Sequence, residues 1–119
     1  MTARFISAPD KLPVADPEEV HTKILIVDAN WRDIEAIAFL CMTRQVKYDF
    51  YLFGPTSIDL KWLDRAVDAA DTILINGTNT GRHVDIKPDI SKLEKSIVLG
   101  EGNILKLPLD FIVKQLEEE

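Results

Sequence analysis

Two side chains in this sequence combine acid–base chemistry with a placement that could use it. Asp28 ends an apolar run, and His83 stands just past a polar loop. A carboxylate and an imidazole held within hydrogen-bond reach of one proton can act as general base and acid. The loop before His83 reads Asn76-Gly77-Thr78-Asn79-Thr80-Gly81-Arg82. Its glycines allow backbone N–H groups to approach an anion, Thr78, Asn79 and Thr80 add side-chain donors, and Arg82 adds positive charge. Such a set suits a phosphate or a ribose. It equally suits a plain turn after a strand. Gly100-Glu101-Gly102-Asn103 is a further short polar stretch. The candidate ligand-binding residues are therefore Asp28, Asn30, Asn76, Gly77, Thr78, Asn79, Thr80, Arg82, Gly100 and Asn103. The candidate catalytic residues are Asp28 and His83 alone.

No complete motif supports a particular reaction. There is no GxxxxGK[ST], and Gly100-x-Gly102 does not continue into GxGxxG. A GxSxG elbow is absent as well. The single cysteine, Cys41, falls on an apolar helix face, where an inert buried thiol is expected. It can form no intramolecular disulfide, and no Cys/His spacing suits zinc. Neither a metal nor a cofactor is expected. His21 precedes the first apolar run and should lie at the far end of the fold from the candidate site.

The elements that would position these residues are legible from periodicity. Lys23 to Asp28 is a strand, apolar on both faces, as in a central parallel strand covered by helices on either side. Asn30 caps a helix running to about Arg44, with Asp33 at N3 favouring its positive end. That helix is unusual, because Ala36 through Met42 is apolar without a break. Lys47 to Phe53 is a second strand, and Gly54-Pro55 ends it. A helix capped by Thr56 or Ser57 follows, running to about Ala70 with Leu60, Leu63, Val67 and Ala70 on one face. Thr72 to Asn76 is the third strand. Ser96 to Leu99 is the fourth, with Ile104-Leu105 extending it past a bulge. Pro108 opens the last helix, with a stripe of Leu109, Ile112, Val113 and Leu116. Residues 1–22 carry three prolines and read as an extended arm, in which Arg4 to Ser7 is a candidate short strand. The domain proper spans 23–119.

This β-α-β-α-β pattern implies an α/β fold: one three-layer sandwich of Rossmann-like or flavodoxin-like outline, with a mostly parallel four-stranded sheet in the order 2-1-3-4. In such sheets ligands sit outside the carboxyl ends of the strands, at the switch point between the first and third.

Composition narrows the partners. The chain has 119 residues, enough for one domain, with 46% apolar and 29% charged side chains. A net charge of −6 and scattered lysines argue against nucleic acid. No run approaches the ~18 apolar residues of a membrane span, and the N-terminus lacks a signal-peptide core. A cytoplasmic location is expected. The first expectation for function is a small soluble module, non-catalytic, acting through a protein partner or a homo-oligomer. Trp31, Phe39, Met42 and Trp62 are its candidate interface residues. The alternative is a sensor or enzyme that binds a nucleotide-like or phosphorylated small molecule at the strand ends.

Overall fold

The computed structural model describes residues 3–8, 10–12, 21–54, 56–76, 88–100, 102 and 104–118. Five strands form one sheet: β1 (Arg4–Ser7), β2 (Thr22–Val27), β3 (Tyr48–Phe53), β4 (Thr72–Asn76) and β5 (Ser96–Leu99). Every pairing is parallel, and the order across the sheet is β1-β3-β2-β4-β5. The four strands expected from periodicity stand in the expected order. Arg4–Ser7 adds a fifth beyond β3, so this part of the arm belongs to the sheet. It is held there by its own chemistry. Phe5 stacks on Phe50 with ring centroids 4.9 Å apart, and Arg4 forms two hydrogen bonds to Asp49.

The helices are α1 (Trp31–Met42), α2 (Leu60–Ala69) and α3 (Pro108–Glu118), with a 3-10 turn at Pro88–Lys92. Together they make a three-layer sandwich. On one face of the sheet, Ile24, Ile26, Phe50, Leu52 and Leu74 pack under Ile34 and Ile37 of α1 and Phe111 and Ile112 of α3. On the other, Leu25, Val27, Tyr51, Phe53, Ile73 and Ile75 pack under Trp62, Leu63 and Ala66 of α2, with Ile90 beside them. Strand residues alternate between the two faces, which is why β2, β3 and β4 needed apolar side chains at nearly every position.

Local chemistry sets the helix ends. Asn30 caps α1 as expected, its side chain accepting from Arg32 N–H at 3.0 Å. The cap of α2 is Asp59, which accepts from Trp62 N–H, rather than Thr56 or Ser57. In the helix Trp62, Leu63 and Ala66 face inward, and Leu60 is left 37% exposed. The far end of α2 has no basic residue of its own. Lys95, from the turn before β5, reaches across to the carbonyls of Val67 and Ala70. In α3 the buried set is Pro108, Phe111, Ile112 and Leu116, while Val113 is 38% exposed. Ile104 and Leu105 do not extend β5. Gly100 N–H bonds the Leu105 carbonyl, so the chain doubles back there and leaves Ile104 in solvent.

Candidate functional site

At the carboxyl ends of the central strands the sheet carries polar side chains where its core has no use for them. β2 ends in Asp28, which is fully buried, and β4 ends in Asn76, 2% exposed. The β2–β4 register runs to Val27 opposite Ile75, so these two residues meet just past the ladder. Asn76 Nδ2 donates to the Asp28 carbonyl at 3.4 Å and ties the strand ends together across the switch point. Asp28 adopts φ 60°, the left-handed region. Such a backbone costs an L-residue roughly 1–2 kcal/mol, least for Asp and Asn. Its N–H meanwhile bonds the Phe53 carbonyl at 2.7 Å, which fixes the turn into α1.

A second carboxylate belongs to the same end of the molecule. Asp33, in the first turn of α1, is 9% exposed, and its Oδ2 has no hydrogen-bond partner among the described residues. Burial, and then the nearby charge of Asp110 on α3, push its carboxyl above the usual carboxylate range. Asp110 is itself engaged: its Oδ2 accepts from the N–H groups of Lys106 and Leu107 and closes the start of α3. Periodicity read Asp33 as a helix-end charge. Its burial follows from α3 packing against α1, a contact between residues some 75 positions apart that no local pattern reveals.

The raised Asp33 carboxyl has a definite sign in stability. Below the unfolded value of about 3.9 both states are protonated and the group costs nothing. As pH rises through the elevated folded value, the folded state must ionise a carboxyl it would rather keep neutral, and stability falls. Asp33→Asn is therefore expected to melt higher than the wild type at pH 7, by roughly 3–5 °C, the effect of ~1 kcal/mol in a chain of this size. The gain should shrink towards pH 4. A melting temperature that is equal or lower at pH 7 would contradict this picture of Asp33.

Of the other expected ligand residues, Asn30 spends its side chain on the α1 cap, and Gly100 is buried with φ 97° at the turn after β5. Gly77, Thr78, Asn79, Thr80, Gly81, Arg82, His83 and Asn103 lie outside the described residues, as do residues 13–20 of the arm. Among the described residues no group of three His, Cys, Asp or Glu side chains is placed to hold a metal ion. Nor is any described helix long and apolar enough to cross a membrane. Cys41 is buried, and burial pushes its thiol pKa up, as an inert core cysteine requires.

A second titratable cluster sits at the opposite, amino end of the sheet. Asp49 is 1% exposed and is gripped by Arg4, Nε to Oδ1 at 2.7 Å and Nη2 to Oδ2 at 2.8 Å. His21 Nδ1 lies 3.1 Å from Asp49 Oδ1 but at an angle that misses a hydrogen bond. His21 is thus at the end of the sheet where its place before β2 put it. Tyr51, one turn of the pleat further along β3, has its phenol raised by burial and then by Asp49. These residues join β1, β3 and the start of β2, and their evident work is structural.

The expected interface residues divide. Trp31, Phe39 and Met42 are 70%, 71% and 71% exposed. Trp62 is not with them. It is 5% exposed, its ring stacks on Phe53 and meets Tyr51 edge-on, and its indole N–H donates to the Asp10 carbonyl. Once α2 starts at Leu60, position 62 points into the sheet. Beside Trp31 a shallow notch of about 170 Å³ opens, lined by Ser7, Ala29, Ile34, Leu52, Gly54 and Ser57.

Fold and site together define a small parallel three-layer α/β protein with a polar, carboxylate-bearing rim and an apolar outer helix face. Comparison with protein-family models, curated proteins and solved structures yields no match to this chain.

Proposed function

We propose that this chain is a protein-interaction or assembly module whose contact surface is the outer face of α1. One observation carries the reading: three large apolar side chains of a single helix stand about 70% in solvent. Trp31, Phe39 and Met42 fall at i, i+8 and i+11, a spacing that gathers them on one side of the helix. Scattered exposed apolar residues are ordinary, whereas several large ones on a single helix face suit a surface that is covered in use. Tryptophan is also among the residues that anchor interfaces.

The test is a photo-cross-linking amino acid placed at position 39, with the same residue at Asp68 on the exposed side of α2 as control. Position 39 should give a discrete adduct in the expressing cell, and position 68 should not. If position 39 gives none, or the two positions give the same adducts, the surface is not a contact face.

A second reading draws on the three buried polar residues at the strand ends. Asp28 and Asn76 close the central strands and Asp33 lies in the first turn of α1, at the end of the sheet where folds of this kind take a small ligand. On this reading the nucleotide-like or phosphorylated molecule would need Arg82 or His83, because the described part of the rim is acidic. Asp33 then sacrifices stability for binding. A nucleotide or sugar phosphate that raises the melting temperature of the wild type, but not of Asn76→Ala, would favour it. At 100 times its dissociation constant such a ligand adds about 2.7 kcal/mol. A screen of such compounds with no shift removes it.

A further inference from the structure

Resting on the interaction reading, we infer that the partner on α1 is a second copy of this chain, packed α1 against α1 in antiparallel fashion about a twofold axis near the middle of the helix. Three features of the surface point to a copy.

The first is shape. A twofold interface needs a knob and its hole on the same patch. Here both are present. Antiparallel alignment about the level of residues 36–37 sets Trp31 of one chain against Met42 of the other. Met42 then enters the notch beside Trp31, whose far walls are Ile34 and Leu52 and whose volume is about 170 Å³. A flexible thioether suits an irregular hole with an aromatic wall. The same alignment brings Phe39 of one copy over Glu35 and Ala38 of the other.

The second is charge. The chain carries −6, so two copies meeting at random faces repel each other. The outer side of α1 and the turn after it break that pattern. Their exposed charges are Arg32, Glu35 and Arg44, two positive and one negative. This face is one on which a copy can dock without stacking acid on acid.

The third is area. Large side chains offer roughly 150–250 Å² each. At 70% exposure, Trp31, Phe39 and Met42 present about 400 Å². That is about half of the ~800 Å² each partner contributes to a standard interface. Arg32, Glu35 and Arg44 are exposed around them and extend the face as its rim.

The full chain should sediment as a dimer of 27 kDa, twice 13.5 kDa, at about 10–100 μM. Phe39→Glu should weaken the dimer by about 100-fold, as expected for loss of a central anchor, leaving monomer with an unchanged circular-dichroism spectrum. Adding Glu35→Lys to Phe39→Glu should restore the dimer, because the antiparallel register sets residue 35 of one copy under residue 39 of the other. Ile104→Glu, at a position 94% exposed on another surface, should leave the dimer intact. A wild type that is monomeric throughout this range overturns the inference, as does a dimer indifferent to Phe39→Glu or a double variant that stays monomeric. The cross-link at position 39 separates this failure from failure of the interaction reading. An adduct to a different chain retains the contact surface and rejects the copy, whereas no adduct rejects both.

Discussion

Phe50→Ala is expected to destabilise the protein by about 3–5 kcal/mol, the range for emptying an aromatic site in a closed core. Phe50 is fully buried at the centre of β3, paired with Phe5 of β1 on one side and Ile24 of β2 on the other. Its ring stacks on Phe5 and receives the edge of Tyr48 at 5.7 Å. Against a total stability of roughly 5–15 kcal/mol, the loss is large. A urea titration would show a lower midpoint with little change in slope. Because Phe5 loses its stacking partner, amide exchange in β1 should accelerate more than exchange in β4. A loss under about 1 kcal/mol, or uniform acceleration across the sheet, would show that Phe50 does not join β1 to the core in the manner described.

Arg4→Ala should cost about 2–3 kcal/mol. Removing one partner of a buried ion pair usually costs ~3–5 kcal/mol, because the other charge is left stranded. The lower figure applies because the Arg4 side chain is 42% exposed and water can partly replace it. Arg4→Lys should recover only part of the loss, since an ammonium cannot reproduce the two-pronged grip on Asp49. Replacing both partners with apolar residues, Arg4→Met with Asp49→Leu, should recover most of it, because no buried charge then remains. If Arg4→Ala lies within 0.5 kcal/mol of wild type in a denaturant titration, the clamp contributes nothing and another interaction seats β1.

How far the sequence could be read followed from the range of each interaction. KILIVD and TILIN announce central parallel strands because both faces are buried and nearly every position must be apolar, and SIVL is a short apolar run at the edge. Asn30 and Pro108 mark helix starts through contacts within four residues. Where the deciding contact is distant, local reading slipped. Arg4–Ser7 could be read as a short strand but not placed in the sheet, because its partner Asp49 lies 45 positions away. Trp62 could be taken for an interface residue because its burial depends on stacking against Phe53 and meeting Tyr51, contacts from another strand that the helix pattern alone does not reveal. At the candidate site, Asp28 and Asn76 were legible as strand ends. Asp33 was not, since only the tertiary packing of α3 on α1 takes its carboxyl out of water. The unbroken apolar run in α1 was the most direct signal. It held more apolar side chains than one buried face can use, and within it Phe39 and Met42 stand in solvent.

The place of β1 has a consequence for how the chain is made. Of the five strands it leaves the ribosome first, yet its only neighbour among the described strands is β3, whose first residue follows more than forty positions later. Phe5 and Ile6 must therefore wait, apolar and unpaired, while β2, α1 and β3 are still being synthesised. Pairing over such a separation is slow, and the waiting segment is a hazard for mispairing. The brevity of β1 and the charge of Arg4 limit that hazard. The earliest strand out cannot be seated until β3 has been made, and translation of β3 sets the moment at which the sheet can close on that side.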